Sequence, residues 1–314
     1  MKKKAAVAID LGGTRIKIGL VSEAEILVTA QIDSRSDGGI QARLPDIEAR
    51  IYALLTEASL TTADIEGIGM AIPGIVDSVN GRVLAINAKY DDVLRIDLAG
   101  WANDRFQLPF ALENDTRSAL LGEWKYGNGR GYDNLALMTL GTGIGTSAVI
   151  EGKLLRGKHF QAGILGGHFV TNYKGNRCNC GNVGCAEAEA STWNLRKQVV
   201  SNPSYSQSLL QTQEIVDFKA IFYCAEQGDI LAMTVRDDCL EVWAACALNL
   251  VQAYDPEVLI LGGGVMASRD HIIPKIQDKL DRNGWATWGK VAVIEAAQIN
   301  AAALLGVSSL VYNN

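Results

Sequence analysis

The chain has 314 residues, 48% of them apolar, with 32 glycines, only 6 prolines and a formal net charge of -6. That length favours two α/β domains around a central cleft over a single core, and that composition excludes a disordered chain. The acidic balance offers no basic field for nucleic acid or an anionic membrane surface, and no uninterrupted apolar run reaches the ~18 to 20 residues that span a bilayer.

In chain order, Lys2 to Lys4 precede an apolar stretch that stops at Asp10 and Gly12-Gly13, too short for a signal peptide, so a mature cytoplasmic start is expected. Ala5 to Leu11 reads as a buried strand. After Gly12-Gly13-Thr14, the alternation of Ile16, Ile18 and Leu20 with polar or small residues gives a second strand, hence a β-hairpin. Residues 43 to 58 have helical spacing. Gly67 to Ile72 is a strand stopped by Pro73-Gly74, and Asp77 to Gly81 is a turn. A helix-strand passage leads to Glu113-Asn114-Asp115, where a helix starts at the acidic cap.

Leu135 to Ile150 repeats the opening design around a turn at Gly141 to Thr146, which suggests two related halves. The polar stretch 201 to 213 reads as a helix-loop insertion. A long helix is expected over Asp237 to Tyr254, followed by the strand Val258 to Leu261, Gly262-Gly263-Gly264, and a last helix near 301 to 311. The domains are therefore drawn as 1–115, with 300–314 folding back on it, and 116–299.

Glycine turns lack Cβ atoms, so their backbone N–H groups can approach phosphate oxygens, and a nearby carboxylate can hold hydrated Mg²⁺. Each turn alone is as readily an ordinary tight turn. Together they suggest two hairpins gripping one nucleotide, although neither fits a P-loop or leads straight into a helix as a dinucleotide fingerprint does. Gly262 and Gly263 could floor an adenosine site or simply close a packed strand end. Asp115 is either a helix cap or a base that accepts an alcohol's proton during attack on phosphorus, with Asn114 orienting a hydroxyl.

Three of the six cysteines fall between Cys178 and Cys185. With His168 they make the donor set of a closed, structural zinc site, and Glu187 lies two residues past the last of them.

These motifs occur in order over nearly the whole chain: Asp10-Leu-Gly-Gly-Thr14 with Gly19, Ile72-Pro73-Gly74 with Val76-Asp77, Glu113-Asn114-Asp115, Leu140 to Thr146, Gly166-Gly167-His168, Cys178 to Glu187, and Leu261 to Val265. In this the chain resembles the ROK family of sugar kinases and sugar-responsive repressors, within the actin-like superfamily. The resemblance implies two actin-like, ribonuclease H-like domains and ATP-dependent phosphorylation of a hexose or hexose derivative at its 6-hydroxyl by a homodimer. It implies Asp115 as catalytic base, sugar contacts from Gly74, Asn87, Asn114, His168 and Glu187, and zinc on His168, Cys178, Cys180 and Cys185. Asp10, Gly12, Gly13, Thr14, Thr142 and Gly143 would surround Mg-ATP phosphates, with Gly262 and Gly263 by the adenosine.

One departure stands out, since the family's Glu-x-Gly-His element is replaced by Ile164-Leu-Gly-Gly-His168, with no acidic group. A polar sugar contact is thereby missing or supplied otherwise, which leaves the sugar open. Two alternatives to a kinase are a sugar-responsive regulator and a sugar-binding sensor without catalysis. Regulators of the family carry a DNA-binding domain ahead of the sugar body, and here the phosphate motif begins at Asp10.

Overall fold

A computed structural model describes residues 4–87, 89–285, 289–298 and 301–312. In chain order the elements are β1 (Ala5–Leu11), β2 (Arg15–Ser22), β3 (Glu25–Asp33), α1 (Leu44–Glu57), β4 (Ile65–Ile72), β5 (Ile75–Asp77), β6 (Arg82–Ala85), α2 (Leu98–Phe106), β7 (Phe110–Asn114) and α3 (Asp115–Tyr126). They continue with β8 (Leu135–Leu140), β9 (Ile144–Ile150), β10 (Lys153–Leu154), α4 (Ala186–Glu189), α5 (Thr192–Val200), α6 (Phe218–Glu226), α7 (Ile230–Tyr254), β11 (Val258–Gly262), α8 (Arg269–Asn283), β12 (Ala292–Glu295) and α9 (Ala302–Val311).

Two compact units result. The first comprises Met1–Arg130, Arg156–Ala162 and Asn300–Asn314; the second comprises Gly131–Leu155 and Gly163–Ile299. The first holds a sheet in the order β3-β2-β1-β4-β7. Strands β1, β2 and β3 are antiparallel neighbours, while β1, β4 and β7 run parallel. A central parallel strand is covered on both faces, which is why β1 and β4 read as almost unbroken apolar runs. The edge strand β3 alternates strictly between half-buried and exposed positions, and sequence reasoning passed over it because its charged ends, Glu25 and Asp33, masked the period.

Helix α9 packs on α3, β1 and β4. The approach is so close that a Cβ at Gly306 would lie 1.7 Å from the Ser118 carbonyl oxygen, and one at Gly122 would lie 2.1 Å from that of Ala302. Glycine at both places lets the two helix backbones touch, with Leu304, Leu305 and Val307 sealed against Ala8 and Ala71.

The second unit repeats the plan as β10-β9-β8-β11-β12, with β8, β11 and β12 parallel. Its core gathers around α7, where the fully buried Trp243 donates its indole N–H to the Ala190 carbonyl at 2.7 Å. Helix α7 starts at Ile230, seven residues before the expected Asp237, because Asp229 caps it by accepting from Ala232 N. The polar run Arg236-Asp237-Asp238 interrupts the apolar pattern without breaking the helix. The stretch 201–213 forms two 3-10 turns, and the second is tied to Asp229 through Ser208 and Leu209 N. The turn expected over Gly141 to Thr146 is shorter than expected, because Ile144 to Thr146 already belong to β9. Among the described residues no helix is long and apolar enough to cross a membrane.

Candidate active site

In the first unit the parallel register sets Asp10 beside Ala71, and Ala71 beside Glu113, so the chain segments following β1, β4 and β7 emerge at one edge. The carboxyl edge of parallel strands is where α/β folds place ligands. Asp10 stands there on β1. Burial pushes its carboxyl up to about 6, helped by the nearby Asp115 charge and opposed by Lys17.

The turn that follows is braced through its carbonyls. Tyr90 Oη donates to Gly12 O at 2.9 Å, and Ser34 Oγ and Ser36 Oγ donate to Gly13 O at 2.6 and 3.2 Å. The N–H groups of Gly13 and Thr14 have no hydrogen-bond partner among the described residues. Two unpaired donors on a braced turn suit an anion.

At the end of β7, Asn114 is the cap of α3, not Asp115: its Oδ1 accepts from Thr116 N and Arg117 N at 3.0 and 3.1 Å. Both residues are good cap formers, so the sequence did not separate them. The Asn114 Nδ2 group donates to Gly74 O at 2.9 Å and to Asp115 Oδ1 at 3.0 Å. The amide thereby fixes Asp115 and the Pro73-Gly74 turn, with its hydrogen-bonding capacity spent inside the protein. Burial raises the Asp115 carboxyl, while bonds from Thr116 and the charge of Lys89 oppose the rise. Below it, Glu113 and Arg117 are fully buried; Arg156 binds Glu113 at 2.8 Å, and Arg117 donates to the carbonyls of Phe160 and Ala162.

The second unit presents its own glycine turn. Gly141 N donates to Gly143 O at 3.0 Å, while Thr142 N and Gly143 N have no partner among the described residues. The next donor, Ile144 N, is bound by Glu187 Oε2 at 3.0 Å. A Cβ at Gly143 would come within 2.4 Å of that carboxylate oxygen. Thr146, on β9, donates to Gly163 O and accepts from Gly166 N, clamping the segment that leads to His168. Gly262 ends β11 in register with Thr139 of β8, at the carboxyl edge of this sheet, and Gly263 turns away with φ 94°. Asn87 lies exposed after β6 with no partner among the described residues.

His168, Cys178, Cys180 and Cys185 bring their donor atoms within 4.8 Å of one another. Cys178 Sγ lies 3.6 Å from His168 Nδ1, and Cys180 Sγ lies 3.6 Å from Cys185 Sγ. A tetrahedral zinc with Zn–S near 2.3 Å and Zn–N near 2.0 Å gives donor separations of roughly 3.5–3.8 Å, so this set fits zinc. Burial pushes the Cys178 and Cys185 thiols up, a cost that a bound dication reverses. Nδ1 faces the thiols, which leaves His168 Nε2 without a partner among the described residues. Glu187 follows on α4, whose start is set by Ala186 N donating to Phe169 O.

The ROK family model matches residues 6–314. This chain belongs to the ROK family. It is 31% identical over 318 residues to a glucokinase of Thermotoga maritima, across 99% of this chain and 98% of that protein. The structure of a ROK family glucokinase from Streptomyces griseus, in complex with glucose and AMPPNP, matches with a TM-score of 0.78 and 27% identity over 99% of this chain and 100% of that one. A xylose repressor of Bacillus subtilis is 25% identical over 99% of this chain and 78% of its own length.

Sequence reasoning about this ROK chain missed the residues that support its motifs. Ser34, Ser36 and Tyr90 brace the first turn from up to 78 residues away, and no local pattern marks them. Arg117 and Arg156 belong to none of these motifs, yet Arg117 is wholly buried beneath the Asn114 cap. The spacing of Glu113 and Arg117, four apart, was the one available signal.

Proposed function

We propose that this chain is an ATP-dependent sugar kinase that moves the terminal phosphate of Mg-ATP to the 6-hydroxyl of a hexose or hexose derivative, with Asp115 as general base. The observation that carries this reading is Asp115 itself, a burial-raised carboxylate fixed by Asn114 at the start of α3, on the same sheet edge as the braced Gly12–Thr14 turn. The hydroxyl oxygen bonds to the γ-phosphorus as the bond to the β-phosphate oxygen breaks; the proton passes to Asp115 and ADP leaves. The N–H groups of Gly13, Thr14, Thr142 and Gly143 meet phosphate charge, with Gly12, Gly262 and Gly263 giving the nucleotide backbone room and Asp10 receiving its hydrated Mg²⁺.

Sugar hydroxyls are bound by His168 Nε2 and Glu187, with Gly74, Asn87 and Asn114 shaping the pocket, as the family resemblance implies. His168, Cys178, Cys180 and Cys185 would hold a structural zinc, which would supply rigidity to the imidazole and to the loop that carries Glu187.

The test is a coupled ADP-release assay with Mg-ATP against hexoses, N-acetylhexosamines, epimers and deoxy sugars. Asp115→Asn is expected to cut kcat by about 10²- to 10⁴-fold while sugar affinity stays within about threefold. Unchanged turnover would remove Asp115 as base. Sugar binding with no turnover of any sugar by the wild type would favour a sensor, a reading that the likeness to a xylose repressor keeps in view.

A further inference from the structure

Beside the first glycine turn lies an ammonium that none of the motifs contains. Lys89 immediately precedes Tyr90, and Tyr90 is tied to this region twice: its hydroxyl donates to Gly12 O at 2.9 Å and its backbone N–H to Ser36 O at 2.9 Å. Tyr90 also adopts a left-handed backbone, φ 52°, which turns the chain sharply at this point. The lysine side chain is thereby laid across Gly13. A Cβ on Gly13 would come within 2.3 Å of Lys89 Nζ, 2.7 Å of Cε and 3.2 Å of Cδ.

The side chain is half-buried, and Nζ makes no hydrogen bond or ion pair with any described residue. A lysine rarely gives up solvent without a partner. Three ammonium donors thus stand open beside the unpaired N–H groups of Gly13 and Thr14, close enough to Asp115 for its charge to act on that carboxylate.

We propose that Lys89 binds the terminal phosphoryl group of the donor nucleotide and stays on its non-bridging oxygens during transfer. The inference rests on the kinase reading and adds a residue to it. The location points to the terminal phosphate, since Lys89 crosses Gly13 at the sheet edge where β7 hands over to α3 and Asp115, the side of the reacting hydroxyl. There it meets charge on the group in flight while Asp115 takes the proton. A point charge on a flexible stem can follow that group as its bond to the β-phosphate oxygen breaks.

Calorimetric titration of wild type, Lys89→Met, Lys89→Gln and Lys89→Arg with Mg-AMPPNP and with Mg-ADP tests this without knowledge of the sugar. Loss of the ammonium is expected to weaken Mg-AMPPNP about 10- to 100-fold and Mg-ADP by no more than about threefold. Lys89→Arg should keep Mg-AMPPNP within about fivefold, since the charge remains. With an accepted sugar, Lys89→Met should lower kcat and leave the sugar KM in place. Equal weakening of both nucleotides, or none, overturns the assignment; circular dichroism of the variants reports whether they fold, and Lys89→Gln stands in if Lys89→Met does not. A wild type that binds neither nucleotide sinks the kinase reading and Lys89 with it, whereas normal nucleotide binding by both neutral variants sinks Lys89 alone.

Discussion

In the first unit the glycine turn after β1 is braced by three hydroxyls and crossed by the Lys89 ammonium, whereas in the second the turn after β8 is closed by the Glu187 carboxylate on Ile144 N. The sheets share one strand order, so the plan of the fold sets where each turn lies. The side chain against each glycine differs, cationic at Gly13 and anionic at Gly143. A second contrast follows the same line. The Arg156–Ala162 segment is pinned in the first unit by buried Arg117 and Glu113, whereas the cysteine loop of the second gathers three thiols and an imidazole in a donor set that fits zinc.

The largest expected effect breaks the second contrast. Arg117→Met leaves Glu113 without its buried cation and frees the carbonyls of Phe160 and Ala162, so the first unit should lose about 3–5 kcal/mol in urea unfolding. Stripping zinc with a chelator should instead loosen the second unit, weakening sugar binding before nucleotide binding; one metal released per chain, measured with a colorimetric dye, is the expected stoichiometry, and full sugar affinity in the stripped protein would contradict the role of the loop.

A smaller effect concerns a carboxylate that only one sheet carries. Asp10 precedes the last residue of β1, and the corresponding residue of β8 is Thr139. The Asp10 carboxyl is raised from 3.8 to about 6, so the folded chain holds a proton that the unfolded chain releases between those values. Stability from this group is full below about pH 4, falls as pH rises through about 6, and stays lost above it. Asp10→Asn should therefore stabilise the ligand-free protein by about 1–3 kcal/mol at pH 7, and by little at pH 4, while abolishing turnover. Equal denaturation midpoints at pH 7 would contradict the burial cost.

The finest test exchanges one hydrogen for a methyl on each turn. Neither Gly13 nor Gly143 has a positive φ, so alanine fits the backbone, and the added carbon meets Lys89 in one case and Glu187 in the other. Gly13→Ala should raise the KM for Mg-ATP about tenfold, and Gly143→Ala, on a phosphate-facing turn that also meets Glu187, should raise the KM for both Mg-ATP and sugar by about the same factor. An unchanged KM for Mg-ATP in either variant would remove that turn from the phosphate site.

The two hairpins, the start of α3 and the cysteine cluster were legible because each is written within some twenty consecutive residues, in period-two alternation, cap chemistry or thiol spacing. Strand β3 was lost to its charged termini, and the early start of α7 to a polar run within a capped helix. The parts of the candidate site that escaped are those made by distant residues. Lys89, Tyr90, Ser34 and Ser36 meet the first turn only after β1, β2 and the segment behind β6 have been brought together, and a lone lysine or serine carries no mark of its neighbour.

The Gly122–Gly306 crossing also has a bearing on synthesis. Helix α3 is complete at Tyr126, and its partner α9 begins only at Ala302, about 175 residues later. At roughly 5–20 residues per second, a ribosome needs about 10–35 s to supply it. Until then Ala8, Ala71 and the glycine-lined flank of α3 wait uncovered, and the first unit, begun first, is finished last. A nascent chain stalled before α9 should therefore engage chaperones through this unit's own unfinished face.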